Sequence, residues 1–241
     1  MRQVVVTGGG TGIGYAIAEA FANQGDQVTI TGRRVDVLRR AAESLKAIPV
    51  PFDAADPAAV TAALDQLPER VDVLVNNAGG NTDLSRTANQ DGDLAAVAAA
   101  WLDNLRANLI SAVLVTTALE PRLADDARVV NLSSIAVRGT GASSYGAAKA
   151  GLEPWTADLA AKLGPRGITA NVVAPGLILG TEFFHGRLTD EFIAPRVAAT
   201  RNGRAGTIAD VVATVRFLAS PDAGHLTGQV IHVNGGAYLG R

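Results

Sequence analysis

Short runs rich in β-branched residues alternate with longer helical patterns from one end of this chain to the other. That alternation confines it to a parallel sheet wrapped on both faces by helices. The runs stand near residues 3–7, 27–31, 48–52, 71–75, 128–132, 168–174 and 229–233. Most are almost wholly apolar, as in Val71-Asp72-Val73-Leu74-Val75 and Arg128-Val129-Val130-Asn131-Leu132, which suits strands buried on both faces. Helical periodicity covers about 13–24, 35–46, 57–66, 95–122, 145–163 and 207–219. In the first of these Ile13, Ile17, Ala20 and Phe21 share a face, and the last opens on Thr207 and Asp210 in a capping-box-like start and stops at Ser220-Pro221. Pro154, inside the predicted helix 145–163, implies a kink or a lost backbone bond. Seven strands in one sheet account for residues 1–241 as a single domain.

Composition removes several function classes. With 48% hydrophobic and 18% charged residues the chain is globular, and a net charge of −2 gives no electrostatic reason to expect a nucleic-acid partner. Cysteine is absent, so there is no disulfide, thiolate zinc site or cysteine nucleophile. His185, His225 and His232 lie too far apart in sequence to form a ligand motif, and no metal is expected. The apolar run at the N-terminus is too short for a signal peptide or a membrane span, so a cytoplasmic protein with no membrane partner is expected.

Directly after the first strand comes Thr7-Gly8-Gly9-Gly10-Thr11-Gly12-Ile13-Gly14, followed by a helix. Glycines let a backbone turn tightly and approach a pyrophosphate, while a helix N-terminus supplies free N–H groups and partial positive charge. No Gly-Lys-Ser/Thr follows, which disfavours a mononucleotide P-loop. The run therefore reads as a dinucleotide site, or else as a tight strand-to-helix turn. The second strand ends Thr31-Gly32-Arg33-Arg34. A carboxylate at Gly32 would bind a ribose 2′-hydroxyl; two guanidiniums instead suit a 2′-phosphate through bidentate charge-assisted bonds, unless they only decorate the next helix. NADP is thus expected in preference to NAD.

The chain has three tyrosines and three lysines, so Tyr145-Gly-Ala-Ala-Lys149 is informative. Tyr238 has no position 242 to pair with, and coincidence would supply such a pair in only about 2–3% of cases. Residues four apart share a helical face. Reducing a ketone delivers hydride to carbon and requires a proton for the nascent alkoxide. A lysine charge about 5 Å from a phenol, at an effective dielectric of about 20, contributes on the order of 3 kcal/mol, roughly two pKa units. That is expected to bring the phenol toward working pH. Ser133-Ser134 ends the fifth strand, at the sheet edge that faces a ligand crevice, and a hydroxyl there can hold a carbonyl or simply make a turn. Asn76-Asn77-Ala78-Gly79 follows the fourth strand and can also be an ordinary turn.

Residues 177–206 mix Phe183, Phe184, Leu188, Phe192 and Ile193 with Gly186, Gly203 and Gly206. Such a stretch reads as a substrate-covering lid, the reading adopted for this segment, or as a packed surface excursion.

Together these residues resemble the short-chain dehydrogenase/reductase family over essentially the whole chain. Thr7-Gly8-x-x-x-Gly12-x-Gly14, Asn76-Asn77-Ala78-Gly79, Asn108, Ser134, Tyr145, Lys149 and Asn171-Val-Val-Ala-Pro175-Gly176 stand in that family's order. The resemblance implies an α/β fold with one doubly wound Rossmann-type domain and a seven-stranded parallel sheet. It implies that Asn108 helps hold a water for proton relay, that Ser134 polarises the carbonyl, that Tyr145 is the acid/base, and that Lys149 also binds the nicotinamide ribose. It further implies that Asp53 and Ala54 meet the adenine, that Asn77, Ala78 and Gly79 line the adenosine side, and that Pro175, Gly176 and Ile178 contact the nicotinamide. Among family members the chain looks most like 3-oxoacyl-acyl-carrier-protein reductases, commonly tetramers, so a homotetramer or homodimer is expected.

Three departures stand out. The stretch from Ser134 to Tyr145 is about two residues shorter than usual, which rebuilds the pocket wall around Arg138 to Ala142 and leaves Ser133 as a rival to Ser134. Thr181 comes one residue late after Gly176, and Asp125-Asp126 places acid where carrier-protein reductases tend to be basic. The expected activity is NADPH-dependent reduction of a ketone or 3-oxoacyl substrate, reversible as an alcohol dehydrogenase. The alternative is a catalytically silent NADP-binding regulatory protein on the same fold.

Overall fold

All seven predicted strands form, and they join one wholly parallel sheet in the order β3-β2-β1-β4-β5-β6-β7. The structure is a computed structural model that describes residues 1–85, 93–140, 142–184 and 186–240. The strands are β1 (Gln3–Thr7), β2 (Gln27–Gly32), β3 (Ile48–Pro51), β4 (Val71–Asn76), β5 (Leu123–Leu132), β6 (Thr169–Pro175) and β7 (Val230–Val233). Their apolar runs reflect burial on both faces. Val4, Val6, Ile30, Val73, Val75 and Val130 face the layer of α1 (Gly12–Ala22), α2 (Val35–Leu45) and, across the sheet, a late helix at Ile208–Leu218. The alternate residues Val5, Leu74, Val129 and Ala170 face the opposite layer. Strand period two thus divides one apolar sheet between two cores.

The opposite layer begins with α3 (Pro57–Ala63), whose N-terminus Asp56 caps by accepting from the Ala58 and Ala59 N–H groups. It continues through α4 (Leu94–Leu105), a π-helical turn at Arg106–Ile110 and α5 (Ser111–Leu119). The continuous helix predicted over 95–122 is therefore interrupted. A π turn needs neither proline nor glycine, so nothing in the residue types announces it. β5 starts five residues earlier than its apolar run, because Asp125 and Asp126 occupy its exposed amino end, with Asp126 at φ 59°. A register irregularity between Val71 and Val73 in the β4 pairing accommodates that stretch.

The helix predicted at 145–163 divides into α6 (Ser143–Ala150) and α7 (Leu152–Leu163). Pro154 has no N–H for the Ala150 carbonyl, as its position implied, and the break falls at Gly151. A side chain at Gly151 would stand 2.8 Å from Leu109 Cδ2, so glycine also lets α6 and α7 lie close to the π turn. The segment 177–206 carries α8 (Asp190–Ala198), capped by Thr189 but with no buried residue. It is pinned at its base by a bridge between Ile178 and Gly206. The late helix Ile208–Leu218, α9, has the anticipated capping box, with the Thr207 hydroxyl and the Asp210 carboxylate each accepting from the other's backbone N–H.

Strand order reverses direction between β1 and β4, and a crevice opens there beyond the carboxyl ends of the strands.

Candidate active site

The first wall of this crevice is the glycine turn. Thr11 at the head of α1 is extended and its side chain makes no cap bond, so the first N–H groups of α1 remain directed at the cleft. Gly14 has no room for a side chain, since a Cβ would collide with the Gly8 carbonyl oxygen; at Gly8 one would meet Asn77 Nδ2 at 2.9 Å. At Gly12, with φ +57°, the nearest atom to a Cβ would be Thr181 at 4.0 Å, so this backbone faces open cleft with the segment 177–206 above it. A bare backbone, unengaged N–H groups and absent acid in the first turn of α1 fit a pyrophosphate.

Residues at the tips of β2, β3 and β4 extend the cleft, which encloses about 2100 Å³ and is also lined by Arg33, Arg34, Asp53, Ala54, Ala78 and Gly79. The two arginines diverge. Arg34 donates to Thr11 Oγ1 (3.2 Å) and pairs across the cleft with Glu182 (3.4 Å), whereas Arg33 lines the cleft. Asp53 accepts from the Ala55 N–H at 3.0 Å and so shapes its own turn. Asn77 acts as a brace: its N–H donates to Thr7 Oγ1 (3.0 Å) and its Nδ2 to the Thr7 and Gly8 carbonyls (3.0 and 3.2 Å). It therefore binds β4 to the glycine turn, a more specific part than an ordinary turn residue. On the far side Pro175, Gly176 and Ile178 line the cleft, and Gly176 lies so near Asn234 that a Cβ would stand 2.9 Å away. Thr181, one residue late in sequence, stands over Gly12.

The catalytic candidates converge at the carboxyl end of β5. Tyr145 is buried in the first turn of α6 with Ser134 as the side chain that acts on its hydroxyl, and Ser134 Oγ accepts from the Ala136 N–H at 3.1 Å. Both serines line the cleft, but the Ser133 hydroxyl is engaged with the Lys149 carbonyl (3.1 Å) and so is tied to the packing of α6. Lys149 Nζ donates to the Leu132 carbonyl at 2.7 Å. Gly79 gives it room, since a Cβ there would come within 3.3 Å of Nζ and 2.5 Å of Asn108 Oδ1.

The electrostatics correct the expectation that lysine lowers the phenol. Burial pushes Tyr145 up to about 12, opposed only by the hydrogen bond from Ser134, and burial pushes Lys149 down to about 8. Desolvation disfavours both charged forms and is the largest influence on each, whereas the lysine charge expected from helical spacing is not among the causes.

Asn108 lies in the π turn, fully buried, with both ends of its carboxamide engaged. Oδ1 accepts from the Gly80 N–H, and Nδ2 donates to the Gly80 carbonyl, each at 2.9 Å. Its side chain holds the loop beside Lys149. Sequence reasoning missed its neighbours Asn104 and Ser144, which are both buried. Asn104 Nδ2 donates to Ser144 Oγ (2.9 Å), Ser144 donates to Asp83 (2.8 Å), and the Thr82 N–H donates to Asn104 Oδ1 (3.2 Å). The residue before Tyr145 is thereby tied to the loop after β4. The signal available in sequence was an uncharged polar residue, next to Asp103, in an otherwise Ala/Leu-rich helix.

No group of His, Asp or Glu among the described residues could hold a metal ion, and His185 lies outside them. Asp125 and Asp126 stand at the amino end of β5, away from the cleft, with Asp125 paired to Arg166 at 3.1 Å.

A parallel doubly wound sheet, a glycine cradle at its switch point and a buried Tyr-Ser pair beside a lysine define a dinucleotide-dependent oxidoreductase class. Residues 8–238 match the family model described as enoyl-(acyl carrier protein) reductase. The chain is 34% identical to the 3-oxoacyl-[acyl-carrier-protein] reductase FabG of Haemophilus influenzae, over 99% of this chain and 98% of that protein. A 3-oxoacyl-[acyl-carrier protein] reductase from Brucella melitensis, solved with bound NAD, superposes with TM-score 0.85 at 31% identity, covering 99% of this chain and 91% of that one. A short chain dehydrogenase from Burkholderia cenocepacia in complex with NADP gives TM-score 0.86 at 31% identity, covering 98% and 97%. The chain belongs to the short-chain dehydrogenase/reductase family, and it is an NAD(P)-dependent oxidoreductase acting on CH–OH/C=O pairs.

Proposed function

We propose that the protein reduces a ketone or 3-oxoacyl substrate with NADPH, and runs as an alcohol dehydrogenase when product is abundant. The observation that carries this is the buried Tyr145 with Ser134 beside it, both lining the same cleft as the glycine cradle. Two hydroxyls directed at one place suit a single carbonyl oxygen, which Ser134 orients and to which Tyr145 gives its proton. With its pKa near 12, Tyr145 is fully protonated at neutral pH, the state a proton donor needs. A bound dihydronicotinamide supplies the hydride. Lys149, beside Gly79, holds the ribose on the nicotinamide side, Asn108 keeps the loop there in place and helps hold a relay water, and Pro175, Gly176 and Ile178 flank the ring. Gly8, Thr11, Gly12, Ile13 and Gly14 take the pyrophosphate, Asp53, Ala54, Asn77, Ala78 and Gly79 the adenosine, and Arg33 with Arg34 the 2′-phosphate.

In this reading residues 1–241 form one catalytic domain, 177–206 is its substrate lid, and the enzyme works in the cytoplasm as a homodimer or homotetramer. Among the described residues no helix is long and apolar enough to cross a membrane. Nothing in the site favours a silent regulator, because Tyr145, Ser134 and Lys149 are all in place.

Steady-state oxidation of NADPH and NADH with acetoacetyl and crotonyl thioesters tests the proposal. The expected result is turnover of the oxo thioester with NADPH favoured. NADH used at least as efficiently would overturn the cofactor assignment, and exclusive turnover of the crotonyl thioester would replace carbonyl with enoyl reduction.

A further inference from the structure

Beyond Tyr145, on the side of the cleft opposite the glycine turn, the wall is aromatic. The Tyr145 ring meets Phe183 at 5.6 Å between centroids, Phe183 meets Phe184 at 5.0 Å, and Phe184 meets Phe192 at 5.3 Å, each pair tilted or edge-to-face. Three of the six phenylalanines of the chain stand in this one ladder. None of the three is fully covered, so each keeps free surface in the cleft. The ladder ends in a cation: the Arg196 guanidinium lies over Phe192 at 3.5 Å and donates to the Phe192 carbonyl.

Arg106 of the π turn and Arg187 of the lid line the same cleft, Arg187 donating to the Leu84 carbonyl at 2.8 Å. Among the described residues none of these three guanidiniums is ion-paired with a carboxylate, whereas Arg34, Arg138 and Arg204 each are. The acidic side chains on this rim are Asp103, which is already engaged, and Glu182, which faces Arg34. An apolar body presented to a row of ring edges and faces, with the Arg196 guanidinium at its far end and Arg106 and Arg187 elsewhere on the cleft wall, matches a ligand that is flat and apolar near the reacting carbon and anionic at its other end.

We propose that the substrate is a ketone with an aromatic body and a terminal carboxylate, the carbonyl at Tyr145, the ring along Phe183, Phe184 and Phe192, and the carboxylate at Arg196. This rests on the carbonyl-reduction reading above and adds the substrate class to it. Edge-to-face contacts favour a ring over an alkyl chain of equal area by about two- to tenfold. An exposed guanidinium stacked on a phenyl ring favours a carboxylate over its neutral ester by up to about tenfold. The second discrimination decides the test, because an alkyl chain can also lie on phenyl rings but cannot supply the charge.

The experiment compares 4-(3-oxobutyl)benzoate, its methyl ester and acetoacetyl-pantetheine 4′-phosphate as substrates of the wild-type enzyme and of Arg196→Met, which keeps most of the side-chain bulk over Phe192. The expected result is kcat/KM about tenfold higher for the carboxylate than for its ester. That preference falls to about twofold in Arg196→Met through KM, with kcat and the KM for NADPH within twofold of wild type. An ester used as well as the acid, or an Arg196→Met preference equal to wild type, overturns the aromatic-acid assignment while leaving carbonyl reduction intact. A preference for the pantetheine phosphate over the aryl carboxylate also overturns it and gives the guanidiniums to a carrier's phosphate. Failure of the wild type to reduce any of the three overturns carbonyl reduction itself, and this inference with it.

Discussion

At the scale of single residues, the pair Tyr145 and Lys149 works through burial. Its two pKa values move away from each other's charged form, up to about 12 for the phenol and down to about 8 for the ammonium. Since kcat/KM for the cofactor reports groups of the free enzyme, it is expected to fall as pH rises through about 8, where Lys149 loses its proton while Tyr145 keeps its own. A profile flat to pH about 9.5 would remove the Lys149 charge from cofactor binding. Stability has the opposite sign. Lys149 titrates near 8 in the fold against 10.5 as an ordinary lysine, so the unfolded chain binds the extra proton between these values and stability rises with pH across that window. At neutral pH the buried charge costs about 3 kcal/mol. Replacing it in Lys149→Met leaves the Leu132 carbonyl unpaired, at about 1–2 kcal/mol. The net expectation is a variant about 1 kcal/mol more stable in urea unfolding and without activity; loss of several kcal/mol would contradict it. Tyr145 and Lys149 were legible because two scarce residues met at helical spacing. The direction of the phenol's shift was not, because burial is set by residues far away in sequence.

At the scale of elements, most strands were readable from apolar runs, and Pro154 announced the division of α6 from α7. What the sequence concealed is the π turn at Arg106–Ile110, which brings Asn108 to Gly80, and the polar chain from Asn104 through Ser144 to Asp83. Their partners are loop atoms whose approach depends on packing between α4 and α6. Gly14 tests the cradle as an element. In Gly14→Ala the new methyl overlaps the Gly8 carbonyl oxygen, so α1 must shift from β1. Overpacking of this kind costs about 1–3 kcal/mol, and fluorescence titration is expected to show NADPH affinity lowered by at least about tenfold. An unchanged Kd would mean that the pyrophosphate lies elsewhere.

At the scale of the whole molecule, the sheet order places the glycine cradle and the Tyr-Ser pair on one crevice; alternation of strands and helices was enough to foresee a parallel sheet covered on both faces, but not that order. The proposed lid was legible only as a composition. Its glycines and phenylalanines marked an irregular apolar segment, but which rings would meet Tyr145 depended on how 177–206 folds back over the cleft. The outer face of α4 leaves Leu94 81% and Trp101 41% exposed, with Val97 between them on the same side. Such a stripe suits a partner copy. Light scattering is expected to give a dimer or tetramer that Trp101→Glu shifts toward monomer; a wild-type monomer at micromolar concentration would contradict that assembly. The most direct test of the central claim is kcat for NADPH-dependent ketone reduction by Tyr145→Phe, which removes the proton and keeps the ring against Phe183. A fall of about 10²–10⁴-fold with NADPH affinity unchanged is the predicted result, and a variant that retained wild-type kcat would contradict the account.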